Sequence, residues 1–210
     1  MLDHLSLAAV ADGMGGLSFG DQAAQLAIDG LRARLAAGLP ADSAVWGAWF
    51  DEINAEVSAL GARISPNRGI GSTLTVAAAT GACLLIAHVG DSAVFRFRDG
   101  KLEQLNAEHT LAAAMRARGE SPVPPSASHA LTSCLGLPRL PQKQVLETDL
   151  RRGDRLLLCS DGLTKPVAEA TIAATLAAAA APEQTVQTLI ALANQAGGPD
   201  NITVVLGVVE

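Results

Sequence analysis

The chain has 210 residues, of which 49% are hydrophobic and 17% are charged. This length and composition predict one folded domain over residues 1–210 with a substantial core, and they exclude an intrinsically disordered protein. The net charge is −6 and the sequence has no run of lysine or arginine, which argues against nucleic acid as the main partner.

The cysteines and the apolar segments predict the cellular compartment of the protein. Cys83, Cys134 and Cys159 form no close pair in the sequence, which favours buried thiols in a reducing environment. No apolar stretch approaches the ~20 residues of a membrane helix, and the first residues lack the basic region of a secretion signal. We therefore expect a soluble cytoplasmic protein with no membrane partner.

In the first third of the chain, the pattern predicts one strand and two helices. Residues 5–11 form a short apolar run that ends at a glycine turn over 13–16, as a buried strand does. Ser18 and Asp21 resemble a capping box and predict a helix that ends near residue 35. Apolar side chains at helical spacing predict a second helix over 42–62, in which Trp46, Trp49 and Phe50 contribute to the core.

The rest of the chain is mainly β-like, followed by two helices. Asp99-Gly100 between two apolar runs is a strong hairpin signal, and three prolines within 119–130 predict an irregular segment. Further elements are predicted in chain order: strands over 72–79, 83–89, 94–98, 101–105 and 155–160, helices over 167–180 and 183–196, and a strand over 201–209. Together with the first elements, they predict an α+β fold.

Four aspartates stand in tight polar or glycine-containing settings: Asp12, Asp91, Asp161 and Asp200. Taken alone, each of them is explained by an ordinary turn or by an Asx turn. However, the order of apolar strand, aspartate and tight turn recurs at positions 12, 91 and 161. A carboxylate at the mouth of a buried strand is costly unless another charge compensates it, so the recurrence predicts strand ends that converge on a shared cation.

The residue types around these aspartates suit hard cations. Mg²⁺ and Mn²⁺ prefer carboxylate, carbonyl and water oxygens as ligands. A glycine beside a ligand, such as Gly13 beside Asp12, lets the backbone carbonyl turn toward the ion. Two such ions can clamp an in-line displacement at phosphorus.

Eight motifs in order resemble the bacterial type 2C metal-dependent Ser/Thr protein phosphatase (PPM) family, from about Leu7 to Val209. They are Val-Ala-Asp-Gly-Met-Gly-Gly (10–16), Gly-Ser-Thr-Leu (71–74), Val-Gly-Asp-Ser (89–92), Asp-Gly-Lys-Leu-Glu-Gln-Leu (99–105), Glu-His-Thr (108–110), Leu-Thr-Ser-Cys-Leu-Gly (131–136), Cys-Ser-Asp-Gly-Leu-Thr (159–164) and Gly-Gly-Pro-Asp-Asn-Ile-Thr (197–203).

The resemblance implies a central antiparallel β-sandwich flanked by helices on both sides, with a binuclear Mn²⁺ or Mg²⁺ centre. It implies that Asp12 bridges the two ions, Gly13 offers its carbonyl, and Asp161 and Asp200 complete one ion. Asp12 and Asp161 would position a metal-bound water that attacks phosphoserine or phosphothreonine in a protein. The implied partners are a phosphorylated Ser/Thr protein and a cognate Ser/Thr kinase; no substrate-binding residue is predicted.

The resemblance also implies a third metal ion at Asp91, but Lys165 departs from the family pattern. Lys165 occupies the place where many members have an Asp that contributes to this ion. Since an ammonium group there would repel a cation, the alternative is that Asp91 is only structural.

A second departure concerns the start of the chain. Members normally carry a longer segment before the first strand, with an Arg that contacts phosphate and further acidic residues, and this sequence has no candidate for that Arg. The interpretations are a misassigned start, a truncated chain or an impaired protein, and we favour a missing segment. The segment between His109 and Leu131, the family's flap region, also looks short.

Two other hypotheses follow from the same residues. The chain could be a catalytically impaired relative that binds phosphoproteins or a kinase as a regulatory module, or a structural domain whose aspartates only form turns. Of the histidines, His88 lies within an apolar run and is predicted to be a core residue whose ring nitrogens have hydrogen-bond partners. For His109, a functional role is left open as an alternative.

Overall fold

The computed structural model describes residues 6–14, 19–40, 42–178 and 180–210. Within these residues, eight strands form two four-stranded antiparallel sheets, in the orders β1-β2-β3-β6 and β5-β4-β7-β8. The strands are β1 (Ser6–Val10), β2 (Leu74–Thr80), β3 (Cys83–Val89), β4 (Ala93–Arg98), β5 (Lys101–Gln104), β6 (Gln144–Asp149), β7 (Arg155–Cys159) and β8 (Val204–Val208). The helices are α1 (Gly20–Leu35), α2 (Ser43–Ile64), α3 (Leu111–Ala117), α4 (Asp161–Thr164), α5 (Glu169–Ala177) and α6 (Pro182–Gln195), with a short 3₁₀ helix at Pro125–His129.

The two sheets pack face to face because their strands are apolar on both sides. In β7, Leu156 and Leu158 face the other sheet, while Leu157 and Cys159 face the helices. Alternation of side chains along a strand places successive residues on opposite faces. Near-continuous apolar runs such as β2 and β3 therefore supply both the layer between the sheets and the layer beneath the helices.

Helices cover the outer face of each sheet. Side chains of α1 and α2, among them the fully buried Trp46 and Phe50, pack on the first sheet. The second sheet is covered by α4, α5 and α6 through a cluster that includes Leu163, Ile172 and Leu189. The predicted antiparallel sandwich flanked by helices on both sides is confirmed. None of the helices in the described ranges is both long and apolar enough to cross a membrane.

Turn and capping residues in the sequence correctly predicted where several elements begin or end. Asp99 and Gly100 have φ angles of 51° and 77°, the left-handed geometry of the hairpin turn that their sequence predicts. The Asp42 side chain accepts a hydrogen bond from the Ala44 N–H at 2.8 Å and caps α2. The predicted capping role of Ser18, like residue 5 of the first strand and part of the turn at 13–16, lies outside the described residues.

Two helices and one strand were not predicted, and most of the predicted ends are shifted by one to three residues. The sequence analysis missed α3, α4 and β6, and it extended the last strand back to residue 201, whereas β8 begins at Val204. The helices predicted over 167–180 and 183–196 are α5 and α6, and α6 begins at Pro182 itself. Proline suits the first turn of a helix because its missing N–H would have no partner there.

An ion-pair network closes the sandwich at the end where β4 finishes. The Asp154 carboxylate, 1% exposed, accepts hydrogen bonds of 2.6 Å from both Nε and Nη2 of Arg98. It also accepts a hydrogen bond from the Arg151 N–H at 2.8 Å. These contacts hold the pKa of Asp154 below its ordinary value despite burial, which opposes ionisation.

Candidate active site

The strand register gathers four chain segments at the opposite end of the sandwich. In the first sheet, Val10 pairs with Thr75 and Leu74 pairs with Val89, so β1 ends where β2 begins and β3 ends. In the second sheet, Ala93 pairs with Cys159, and Cys159 pairs with Val204. The residues that follow or precede these strand ends therefore face each other across the edge of the sandwich.

Asp12 and Gly13 are held by the segment before β2. The Asp12 N–H donates to Thr73 Oγ1 at 3.0 Å, and the Asp12 carbonyl accepts from the Thr73 N–H at 2.9 Å. A methyl group on Gly13 would run into the Gly20 carbonyl at the start of α1, so glycine is required for this approach. The Asp12 carboxylate is left free of these backbone contacts and points to the cavity described below.

Two stacked histidines hold the turn that carries Asp91. The rings of His88 and His109 lie 5.0 Å apart between centroids, and His109 Nδ1 accepts a hydrogen bond from the Gly90 N–H at 3.2 Å. His88 contacts Thr75 Oγ1 at 2.8 Å and the Gly90 carbonyl at 3.0 Å, so both of its ring nitrogens have partners. Burial lowers the pKa of His88 to about 3, and the ring is therefore a neutral, satisfied core residue as predicted.

Asp161 and Asp200 are joined through the end of β7. Asp161 is the first residue of α4, and the preceding Ser160 accepts a hydrogen bond from the Thr203 N–H at 3.0 Å. The Ser160 hydroxyl in turn donates to the Asn201 carbonyl at 3.1 Å. Asp200 Oδ1 accepts a hydrogen bond from the N–H of the next residue, Asn201, at 2.8 Å.

All five predicted site residues line one cavity of about 590 Å³: Asp12, Gly13, Asp91, Asp161 and Asp200. Burial, followed by the charges of the other three carboxylates, raises the pKa of Asp12 to about 7. Burial and the Asp161 charge raise the pKa of Asp91 to about 6. We name this space the acidic cavity. Its carboxylates repel one another, and the positive charge of the described residues around them does not balance their negative charge.

Lys165 is the cation that partly compensates this charge. Its ammonium group forms an ion pair with Asp161, lies 3.8 Å from Asp91 Oδ2, and lies 3.1 Å from His129 Nδ1. Nevertheless, Asp161 Oδ1 is buried and has no hydrogen-bond partner among the described residues. A buried carboxylate oxygen without a partner is costly, so the cavity has room for a further positive charge.

The donor set fits a hard divalent cation. The available ligands are carboxylate oxygens, with the Gly13 carbonyl beside them, and Mg²⁺ or Mn²⁺ prefers such oxygens. Among the described residues, no three acidic, histidine or cysteine side chains stand close enough to form a ready-made coordination shell.

Comparison with known proteins identifies the family. The sequence matches the family model described as protein phosphatase 2C over residues 1–196. The chain belongs to the protein phosphatase 2C family.

Two relatives of the chain are phosphatases of bacteria. The chain is 37% identical to the serine/threonine protein phosphatase PstP of Mycobacterium tuberculosis, over 95% of this chain and 40% of that protein. It is 30% identical to the serine/threonine phosphatase stp of Listeria innocua, over 97% of this chain and 84% of that protein. The chain thus spans less than half of the length of the mycobacterial relative.

Solved structures of the family share the fold. The crystal structure of M. tuberculosis PstP has a TM-score of 0.84 and 34% identity, and the match covers 97% of this chain and 88% of that one. A catalytic domain of PstP in complex with two manganese ions has a TM-score of 0.80 and 36% identity, with the same coverage. The structure of the S. agalactiae serine/threonine phosphatase has a TM-score of 0.89 and 29% identity, and the match covers 100% of this chain and 89% of that one.

Sequence analysis missed some residues of this type 2C site. Thr73, His129 and Leu131 also line the acidic cavity. Thr73 lies within the Gly-Ser-Thr-Leu motif, and its hydroxyl contacts both the Asp12 N–H and Ser92 Oγ, so the motif itself was the available signal. His129 had no comparable signal, because only the tertiary fold brings it to Lys165.

Proposed function

We propose that this chain hydrolyses phosphoserine and phosphothreonine in proteins, with two Mn²⁺ or Mg²⁺ ions bound in the acidic cavity. The observation that carries the proposal is the convergence of four carboxylates from four chain segments on one cavity. Among the described residues that line it, only Lys165 supplies a compensating ammonium. The manganese-bound PstP catalytic domain, 36% identical over 97% of this chain, supports the choice of metal.

The charge of the cavity explains why metal would be required. A phosphate ester carries negative charge, and four carboxylates with one ammonium group repel it. Divalent cations, when bound, would reverse this field, lower the pKa of a water molecule and stabilise charge on the phosphoryl oxygens.

The chain's own residues would have distinct positioning roles. Asp12, the Gly13 carbonyl, Asp161 and Asp200 would hold the ions. The hydrogen bonds of Thr73 to Asp12, and of Ser160 to the segment after Asp200, keep these ligands at fixed places on strand ends. Such preorganisation limits the reorganisation that the site must undergo when substrate binds.

Lys165 would occupy the place of a third ion. Its ammonium group contacts Asp161 and lies near Asp91, the carboxylates to which the family resemblance gives that ion. A tethered cation between these two carboxylates opposes the binding of a metal ion at that same place by repulsion. Asp91 would then serve as the partner of Lys165 instead of a metal ligand.

Manganese-dependent hydrolysis of an aryl phosphate tests the proposal. We expect turnover that EDTA abolishes and that Asp161→Asn reduces by at least about a hundredfold, the order of loss seen when a major stabilising group is removed. The matched control is Asp99→Asn, which makes the same chemical change at an exposed hairpin turn and should leave turnover unchanged. Absence of turnover by wild-type protein in excess Mn²⁺ would refute the enzyme hypothesis.

The ion pair of Lys165 with Asp161 favours a second candidate, a catalytically impaired relative that binds phosphoproteins or a kinase. In that case Lys165 would neutralise a metal ligand and supply a positive charge for phosphate. Calorimetry would then show phosphopeptide binding in EDTA, without turnover. Metal-dependent turnover would exclude this candidate.

The cellular setting belongs to the same proposal. A phosphatase of this kind opposes a Ser/Thr kinase, which we propose as its functional partner. The described cysteines Cys83, Cys134 and Cys159 are all free thiols, which supports a reducing, cytoplasmic location.

A further inference from the structure

Two further cavities lie along α2, and one of them borders the acidic cavity. The first has a volume of about 300 Å³ and shares Met14 with the acidic cavity. The second has a volume of about 620 Å³ and shares Ser58, Ala62 and Pro138 with the first. We call these two cavities together the α2 groove; it borders the candidate active site at Met14.

The walls of the α2 groove are fixed to each other. One wall is a face of α2 together with the segment over residues 65–70, and the other is the segment over residues 134–143. Asn54 on α2 joins them, since its Nδ2 donates to the Leu137 carbonyl at 3.0 Å and its Oδ1 accepts from the Gly136 N–H at 2.9 Å. Asn54 is only 4% exposed, so these bonds are shielded from water and the groove is preformed.

The dimensions of the α2 groove suit an extended polypeptide. From Ala62 to Asp51 the groove follows α2 for about 16 Å, at a helical rise of about 1.5 Å per residue. A chain in extended conformation covers this length with about five residues, at about 3.3 Å each.

The charge of the α2 groove is opposite to that of the acidic cavity. Arg68 and Arg139 line the groove with exposed side chains, and neither forms an ion pair with a described residue. The third basic residue of the groove, Lys143, is already paired with Asp51. Two uncompensated arginines in one groove contrast with the net charge of −6 of the whole chain.

We propose that the α2 groove holds the substrate polypeptide on one side of its phosphorylated residue and selects acidic side chains there. This inference rests on the proposed function, which places the phosphorylated residue in the acidic cavity. Met14, which borders both spaces, is where the substrate chain would pass from one to the other. Arg68 and Arg139 would be specificity-determining residues that do not take part in the reaction itself.

The test compares phosphothreonine peptides that differ only in their flanks. One pair carries a run of glutamate or of glutamine before the phosphothreonine, and a second pair carries the same runs after it. For one of the two flanks we expect wild-type protein to prefer glutamate by roughly tenfold in kcat/KM at low salt, since each exposed ion pair contributes up to about fivefold. This preference should fade as salt screens the charges.

Charge reversal identifies the residues responsible. The double variant Arg68→Glu with Arg139→Glu should abolish or invert the preference and leave hydrolysis of a small aryl phosphate unchanged, because that substrate fills only the acidic cavity. The control is Arg152→Glu, which reverses an exposed charge outside the groove and should retain the preference. Equal selectivity of the double variant and wild type, or equal loss in the control, would overturn the proposal.

A binding measurement separates this inference from the proposed function. Fluorescence anisotropy with the same labelled peptides reports affinity without turnover. If wild-type protein hydrolyses neither peptide nor aryl phosphate, the proposed function fails. Selective binding of the glutamate peptide that the double variant loses would still support the groove, whereas no selectivity in binding or turnover would overturn it.

Discussion

The charge of Asp12 should destabilise the metal-free protein at neutral and alkaline pH. Its carboxylate is partly buried, faces the charges of Asp161, Asp200 and Asp91, and accepts none of the hydrogen bonds found in the described residues. Asp12→Asn removes the charge at nearly constant shape. We therefore expect this variant to be more stable than wild type when no metal is present.

The expected size and pH dependence follow from the pKa of Asp12. Its ordinary value of 3.8 applies to the unfolded chain, and the folded protein raises it to about 7. The stability that protonated Asp12 contributes is complete below pH 4 and is lost as the pH rises through 7. At about 1.4 kcal/mol per tenfold change in proton affinity, the cost above pH 7 is at most about 4 kcal/mol; partial solvent exposure reduces it to about 2 kcal/mol.

Thermal unfolding in EDTA measures this effect. Since about 1 kcal/mol shifts the Tm of a domain of this size by about 2–4 °C, Asp12→Asn should raise the Tm by about 4–8 °C at pH 8. The gain should be smaller at pH 5, where more of the wild-type carboxyl is protonated in the folded protein. In excess Mn²⁺ the order should reverse, because bound metal stabilises the form that keeps the ligand more than the form that has lost it.

The exposed Asp99→Asn variant serves as the control and should show no pH-dependent gain. An Asp12→Asn variant that is no more stable than wild type at pH 8 in EDTA would refute the reasoning. So would a gain of the same size at pH 5 and pH 8, since charge repulsion cannot produce it.

Three further predictions concern single residues. Lys165→Asp should add a Mn²⁺ site or raise Mn²⁺ affinity by about tenfold in calorimetry, because the competing ammonium is gone; unchanged binding would contradict a role in place of a metal. Asp154→Ala should lower the free energy of unfolding in urea by about 3 kcal/mol, since it leaves Arg98 without its buried partner, and an unchanged kcat would confirm that this end is only structural. Gly136→Ala should lower the Tm strongly, because φ is 97° and the added methyl group would run into the Ile70 carbonyl. Gly119→Ala, also at positive φ but in open space, should cost less, and equal losses would contradict the steric argument.

Elements with strong local signals were predictable from the sequence. The strands β2 and β3 are buried on both faces and therefore read as continuous apolar runs. The hairpin at Asp99-Gly100 needs two residues at positive φ, and the Asp-Gly pair favours this geometry. In both cases the physical requirement acts on neighbouring residues.

Elements specified by distant contacts were missed. β6, with the sequence Gln-Val-Leu-Glu-Thr-Asp, is half-exposed and owes its strand conformation to pairing with β3, more than fifty residues earlier in the chain. α3 is only seven residues long, and the capping hydrogen bond from Ala113 to Thr110 at 3.1 Å supports it. Short helices draw most of their stability from packing, which the local pattern does not reveal.

In the candidate site, too, features set by neighbouring residues were predictable and features set by distant contacts were not. The repeated order of strand, aspartate and turn predicted that the aspartates converge, and the structure places all four in one cavity. The pairing of Lys165 with Asp161, and the approach of His129 to Lys165, depend on tertiary placement alone. The assignment of Asp12, Gly13, Asp161 and Asp200 as metal ligands stays a prediction.

Calorimetric titration of wild-type protein with Mn²⁺ tests the central claim most directly. The account predicts two Mn²⁺ ions per chain, with at least one site lost in Asp12→Asn and both retained in Asp99→Asn. Wild-type protein that binds no Mn²⁺ at millimolar concentration, or an Asp12→Asn variant that binds two ions as tightly as wild type, would contradict it.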